Sequence, residues 1–131
     1  MKQTLTCILL AAAIVAPPSF AMADGDPAKG ESVFKKCKAC HDVGPDAKKK
    51  VGPPLNNIID APAGAQEGYN YSKPMRDAGA GGLVWDDDKL HSYLENPKKL
   101  VPGGKMSFPG LKDEDDRDDV IAYLKTFSKK E

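Results

Sequence analysis

Histidine and cysteine are both scarce in this 131-residue sequence, which has two histidines and three cysteines. A closed zinc site needs four ligands, usually with a second cysteine pair at similar spacing, and the sequence does not supply them. No stretch alternates apolar and polar residues as a half-buried strand does. Lys plus Arg and Asp plus Glu are equal at 19 each, so the basic excess of a nucleic-acid binder is missing. These absences argue against a zinc protein, a β-protein and a nucleic-acid-binding protein.

A long apolar run is missing too, since the run from Leu5 to Ala16 falls short of the about 20 residues that a membrane span needs. Lys2 precedes this run, and Ala21-Met22-Ala23 has the small-x-small form of a cleavage site. An uncleaved anchor is the alternative, but Pro17 and Pro18 favour cleavage. We therefore predict a secretory signal peptide over residues 1–23, cleaved after Ala23, and a soluble periplasmic protein over residues 24–131. Its length suits a single domain.

Helix signals recur along the predicted mature chain. Asp26 and Pro27 are suited to the N-cap and first position of one helix, and Pro97 ends another. The last helix has acids in its first turns and lysines at its end, as the helix dipole favours. The predicted helices span residues 26–38, 86–95 and 113–127, and short helical turns are predicted at residues 55–59 and 72–78. The predicted fold class is all-α.

Glycine and proline are frequent, with 12 and 11 residues respectively. Much of the chain between the predicted helices is therefore turn-forming. Long loops fit a compact domain poorly unless they wrap something. This composition indicates a large apolar cofactor, around which irregular backbone folds with its polar groups facing out.

The segment CKACH, residues 37 to 41, places two thiols three positions apart with a histidine directly after the second. Disulfide exchangers use such a pair at the start of a helix, where the dipole stabilises the thiolate. Here the pair comes at the end of a predicted helix, which is unfavourable for a thiolate. Zinc would find one further histidine, His91, and no further cysteine once Cys7 leaves with the signal peptide.

Covalent haem attachment uses every residue of the segment. The two thiols add to the vinyl groups of the porphyrin as thioethers, and the histidine then lies under the iron. An exported protein reaches the compartment where bacterial c-type haem is assembled. The segment therefore predicts one haem c, bound through Cys37 and Cys40, with His41 as an axial ligand.

The other side of the iron decides the function, because an open position allows small-molecule binding or peroxide turnover. A second ligand would restrict the iron to electron transfer. The candidate ligands are Met75, Met106 and His91. Sequence spacing alone does not choose among them, although His91 lies among charged residues.

Several segments together resemble the class I c-type cytochromes, specifically mitochondrial cytochrome c and bacterial cytochrome c2. They are GESVFKKCKACH, VGPPL, YNYS, LVW, YLENPKKLVPGGKMSFPG and DVIAYLK, in the family's order and over nearly all of the mature chain. The resemblance implies a small class I cytochrome c fold wrapped around one haem. Gly104, Ala61 and Met75 depart from it, since the family commonly has threonine, arginine and asparagine there.

The resemblance also implies roles for single residues. It makes His41 and Met106 the axial ligands of the iron. It makes the Pro53 carbonyl the partner of the second His41 nitrogen and Tyr93 the partner of the methionine sulfur. Tyr71 and Trp85 would then reach a haem propionate, and Gly30, Phe34 and Tyr123 would join the first and last helices.

The function that the resemblance implies is a soluble monohaem electron carrier between membrane redox complexes, without substrate turnover. The donor would be a cytochrome bc-type complex, and the acceptor an oxidase or a photosynthetic reaction centre. A peroxidase-like or gas-binding haem protein and a haem-free thiol oxidoreductase are the alternatives. We expect a monomer that docks transiently through lysines around the haem edge, with acids on the opposite side. These lysines are Lys35, Lys36, Lys38, Lys98, Lys99 and Lys105.

Overall fold

The computed structural model describes residues 25–129, which form five helices and the segments that connect them. No strand occurs in this range, where the β-type pairing is a single antiparallel bridge between Pro62 and Val84. None of the helices described is long and apolar enough to cross a membrane. The helices are α1 (Pro27–Phe34), α2 (Lys73–Ala80), α3 (Asp87–Glu95), α4 (Pro97–Leu100) and α5 (Glu114–Lys125). The prediction of an all-α fold is confirmed.

Each predicted helix start is capped by a short polar side chain. Asp26 accepts hydrogen bonds from the Ala28 and Lys29 amides, and Pro27 stands in the first turn. Asp86 and Asp113 cap α3 and α5 in the same way. These carboxylates satisfy amides that have no partner within the helix, and their charge suits the helix N-terminus. The predicted starts of α1, α3 and α5 are confirmed.

Three predicted details of the helices are wrong. Regular α1 ends at Phe34, and the chain continues to His41 through turns in which hydrogen bonds reach back either three or four residues. Residues 55–59 form turns rather than a helix, with Asn57 at φ 56°. The helix α4 was not predicted, because Pro97 was interpreted only as the end of α3.

The two terminal helices pack directly on each other. Gly30 of α1 faces α5 so closely that an added Cβ would lie 1.9 Å from the Asp119 carbonyl oxygen. Beside this contact the rings of Phe34 and Tyr123 lie 5.5 Å apart between their centroids. Asp119 also accepts a hydrogen bond from the Asp26 amide at 2.6 Å, across 93 residues of sequence. The helix contact that the family resemblance implied is therefore present.

Two apolar clusters form the core. The α1–α5 cluster contains Val33, Phe34, Leu111, Val120 and Leu124. The tyrosine–tryptophan cluster contains Ala63, Trp85, Leu90, Tyr93, Val101 and Ile121. Partly buried Ile58, Ile59 and Leu94 pack against both. Since these three side chains bridge the clusters, the loop over residues 55–59 belongs to the core although it has no helix.

The predicted signal peptide, residues 1–23, lies outside the described residues. Its cleavage after Ala23 therefore stays a prediction.

Candidate functional site

The CKACH segment lies in the turns that follow α1. The His41 amide donates to the Cys37 carbonyl at 2.9 Å, and the Cys40 amide donates to the same oxygen at 3.0 Å. Cys37 and Cys40 form no disulfide and are both partly buried, and Cys37 packs against the α1–α5 cluster. Burial raises the pKa of Cys37 to about 11. The unattached Cys37 thiol is therefore protonated at neutral pH, which does not suit a catalytic thiolate.

The His41 imidazole is fixed by the loop that follows it. Its Nδ1 lies 2.7 Å from the Pro53 carbonyl oxygen, so Nδ1 carries the proton and donates. Nε2 is then the nitrogen available to a metal. Burial lowers the pKa of His41, although the Pro53 contact acts in the opposite direction. The neutral ring that metals require is therefore favoured, and the predicted Pro53–His41 contact is present.

Gly52 is a residue of this site that the sequence analysis did not identify. A Cβ on Gly52 would lie 2.5 Å from His41 Cε1 and 2.8 Å from its Nδ1. Any side chain at residue 52 would therefore displace the imidazole. The sequence contained part of the signal, because a Gly-Pro pair marks a turn, but the approach of Gly52 to His41 joins residues eleven positions apart and no local pattern encodes it.

Met106 belongs to the other half of the site, in the loop between α4 and α5. The Tyr93 hydroxyl donates to Met106 Sδ at 3.5 Å. The Tyr93 ring packs on Trp85 with 4.8 Å between centroids, and both rings are buried. Burial, together with a smaller contribution from the neighbouring Tyr69 phenol, raises the pKa of Tyr93 to about 12. The structure thus brings Met106 and Trp85 into contact with Tyr93, whose phenol is neutral.

Tyr71 lies in the loop before α2 rather than in either core cluster. Its ring meets Tyr69 edge to face at 4.8 Å. Burial raises the pKa of the Tyr71 phenol, and a hydrogen bond to the Gln66 backbone lowers it by less. Tyr71 is therefore a half-buried phenol on the same side of the molecule as Tyr69, whereas Trp85 lies in the tyrosine–tryptophan cluster.

The two other candidate ligands have different surroundings. His91 Nε2 lies 3.2 Å from Asp118 Oδ1, and Arg117 Nε lies 3.4 Å from both nitrogens of the ring. Its contacts thus join α3 to α5. Met75 packs against the tyrosine–tryptophan cluster. Its amide donates to the Ser72 hydroxyl at 3.3 Å, but within residues 25–129 no hydroxyl donates to its sulfur. Of the three candidates, Met106 alone in this range has a phenol directed at its side-chain donor atom.

The chain matches known proteins over nearly its whole described length. The family model for cytochrome c matches residues 27–128. The chain belongs to the cytochrome c family. This cytochrome is 54% identical to cytochrome c2 of Rhodomicrobium vannielii over 124 residues, covering 95% of this chain and 96% of that relative. It is 41% identical to cytochrome c2 of Blastochloris viridis, covering 98% of this chain and 95% of the relative.

A solved structure agrees with this assignment. The structure of cytochrome c2 from Rhodospirillum centenum superimposes on this cytochrome with a TM-score of 0.75 at 49% identity, covering 80% of this chain and all of that one. The class I cytochrome c fold is thus confirmed. As a cytochrome c, the chain binds one covalently attached haem c.

The side chains present fit such a group. The side chains of Cys37 and Cys40, which form no disulfide, are both in the turn that leads to His41. The imidazole presents Nε2 because Pro53 holds Nδ1, and Gly52 leaves room for the ring. The donor set of two thiols, one imidazole and one thioether is that of a haem c with two axial ligands.

Proposed function

We propose that this cytochrome is a periplasmic monohaem electron carrier between membrane redox complexes, and that it turns over no substrate of its own. Cys37 and Cys40 would hold the haem through thioethers, and His41 and Met106 would bind the iron from opposite sides. The observation that carries the proposal is the Tyr93 hydroxyl at 3.5 Å from Met106 Sδ. A thioether held in this way would fill the position that an exchangeable ligand needs.

The bound haem supplies reversible one-electron chemistry at its iron. His41 contributes a nitrogen donor whose orientation is set by the Pro53 carbonyl. Met106 contributes a soft neutral sulfur, which favours the reduced metal and raises the potential. Trp85 and Tyr93 are 4% and 9% exposed and keep water from the methionine side, which also disfavours additional positive charge. We therefore expect a high potential.

Carbon monoxide binding to the reduced protein tests this function. We expect no binding at neutral pH, because Met106 would bind the iron and leave no open position, and covalent attachment should keep the haem with the protein in acidic acetone. Ready binding of carbon monoxide would favour a gas-binding or peroxidase-like function instead. Colour that extracts completely would contradict the attachment through Cys37 and Cys40. Titratable thiols without haem absorbance would identify a thiol oxidoreductase.

Docking of the carrier would use the lysines beside the two halves of the site. Lys38 flanks the thiols, and Lys98, Lys99 and Lys105 lead into Met106; all four are exposed. Lys36 is also exposed but pairs with Asp116 of α5 at 2.9 Å. Acidic residues lie elsewhere, at Asp86, Asp87 and Asp88 and at the start of α5. This distribution supports a positive front that steers the protein onto acidic partners, with the protein acting as a monomer.

Electron-transfer rates with a purified cytochrome bc complex test the docking surface. We expect the second-order rate to fall as salt rises and to fall severalfold when Lys98 and Lys99 are both changed to Gln. Lys89→Gln is the matched control, since Lys89 is exposed on α3 beside the acidic residues. Equal effects of front and control substitutions would reject a lysine-specific surface. Sedimentation of the purified protein measures its oligomeric state and so tests whether it is a monomer.

The export step is a separate part of the proposal. A chain cleaved after Ala23 would begin at Asp24, and its intact mass with one haem attached would match residues 24–131. N-terminal sequencing of protein recovered from the periplasmic fraction checks both points. A retained Met1 or Lys2 in that fraction would reject the cleavage.

A further inference from the structure

Tyr69 contacts both loops on which the two proposed axial ligands depend. Its hydroxyl donates to the Val51 carbonyl oxygen at 2.8 Å. The Lys105 ammonium lies 4.5 Å from the centroid of its ring, within cation–π range. Val51 directly precedes the Gly52-Pro53 pair that holds the imidazole, and Lys105 directly precedes the methionine. One side chain therefore touches the histidine loop by its hydroxyl and the methionine loop by its ring.

Neighbouring contacts hold the Tyr69 segment in place. The Lys49 ammonium donates to the Gly68 carbonyl at 3.0 Å, from the histidine loop. The Lys105 ammonium donates to the Asn70 carbonyl, from the methionine loop. Tyr71 packs edge to face against the Tyr69 ring. The carbonyls on either side of Tyr69 thus each accept a hydrogen bond from a lysine, one from the histidine loop and one from the methionine loop.

We propose that Tyr69, with Val51 and Lys105, forms a clasp that couples the two ligand-bearing loops and slows dissociation of Met106 from the iron. The proposal rests on the proposed function, because it needs a methionine that binds the iron. Tyr69 is a positioning residue here, acting on Met106 through Lys105. Lys105 is joined to Met106 by one peptide bond, so the methionine loop cannot swing open without moving the ammonium off the ring.

The size of the expected effect follows from the two contacts. The cation–π contact is partly exposed, since Lys105 is exposed and Tyr69 half-buried. Contacts of this kind, and single neutral hydrogen bonds, each correspond to about a two- to tenfold change in an equilibrium or rate. Loss of the clasp should therefore change the rate of loop opening severalfold, and the protein should still fold without it.

Imidazole binding to the oxidised holoprotein measures the opening. At saturating imidazole the observed rate is limited by departure of Met106, which the loss of the methionine-dependent absorption band reports. Tyr69→Phe removes the hydroxyl and keeps the ring, and we expect about a two- to fivefold faster limiting rate. Tyr69→Leu removes both contacts, and we expect about a tenfold faster rate.

A matched aromatic pair separates this effect from general loss of stability. Tyr123→Phe and Tyr123→Leu alter a ring that packs on Phe34 and Phe127 rather than on Tyr69 or Lys105. We expect the Tyr123 variants to lower the free energy of unfolding without accelerating imidazole binding. The clasp is rejected if the limiting rate of imidazole binding depends on the free energy of unfolding in the same way for the Tyr69 and Tyr123 variants. It is also rejected if Tyr69→Leu leaves that rate unchanged.

Substitutions at Lys105 test the coupling itself. Lys105→Gln should accelerate imidazole binding in the presence of Tyr69, and Lys105→Arg should restore most of the slow rate by keeping a cation over the ring. In the Tyr69→Leu protein the same Gln substitution should have a smaller effect; an undiminished effect would show that Lys105 acts without Tyr69. A wild-type protein that lacks the methionine-dependent band would instead contradict the proposed function.

Discussion

The Tyr93 hydroxyl donates to Met106 Sδ at 3.5 Å, from a ring that is 9% exposed. A donor on the sulfur would withdraw electron density from the proposed iron ligand, which disfavours the oxidised metal. Tyr93→Phe removes the donor and should therefore lower the reduction potential. For a weak hydrogen bond of about 0.5–1 kcal/mol, the expected decrease is about 20–40 mV.

Potentiometric titration of the haem absorbance measures this decrease. Tyr123→Phe is the control, because it removes a hydroxyl from a tyrosine in the α1–α5 contact. Its potential should match that of the wild type. An unchanged or higher potential in Tyr93→Phe would contradict the proposed role of the hydroxyl.

The same phenol predicts how stability changes at high pH. Burial and the Tyr69 phenol raise the pKa of Tyr93 from 10.0 to about 12 in the folded protein. The unfolded phenol ionises first, so the stabilisation is complete below about pH 10 and is lost as pH rises towards about pH 12. The two-unit difference corresponds to on the order of 3 kcal/mol in the free energy of unfolding.

Denaturant unfolding of the holoprotein between pH 9 and about pH 12 checks this prediction. We expect Tyr93→Phe to show a shallower decline than the wild type, because it has no phenol to ionise at this position. Parallel declines in the two proteins would contradict it.

Met106 and Met75 should respond differently to truncation. Met106→Ala should open the sixth position, so that the reduced protein binds carbon monoxide and the potential falls markedly. Met75→Ala removes a side chain that packs against the tyrosine–tryptophan cluster. It should lower the free energy of unfolding, but the reduced protein should still not bind carbon monoxide. Visible spectra with and without carbon monoxide distinguish them. The reverse result would assign Met75 as the ligand.

Gly30 should not tolerate even one added methyl group. A Cβ at residue 30 would lie 1.9 Å from the Asp119 carbonyl oxygen, so Gly30→Ala must push α1 away from α5. We expect a loss of about 3 kcal/mol or more in the free energy of unfolding. Gly81→Ala is the control, since its Cβ would have 3.3 Å to the nearest backbone oxygen. Equal losses in the two variants would contradict the close approach.

Local sequence signals were sufficient to predict where the main helices begin. Asp26, Asp86 and Asp113 are caps whose chemistry acts within three residues, so the sequence contains the whole cause. The helix α4 was missed because Asn96 both ends α3 and caps the next helix, with Pro97 in its first turn. A proline after a helix can end one or begin another, and the sequence alone does not distinguish these outcomes.

Contacts between distant segments were predictable only where a family resemblance supplied them. The Pro53–His41 and Tyr93–Met106 contacts were expected on that ground, and the structure contains both. The contact of Lys105 with Tyr69 joins residues 36 positions apart through a side chain, and no local pattern encodes it. The same holds for Arg117, a buried guanidinium that donates to the Leu111 and Lys112 carbonyls.

The pairing of α1 with α5 also has a consequence for the order of assembly. A ribosome makes α1 first of the five helices and α5 last, so Gly30 has no surface to meet until almost the whole polypeptide exists. The α1–α5 contact therefore cannot form before α5 has been made. The segment that begins at Cys37, directly after α1, is likewise not held by this helix pair until then.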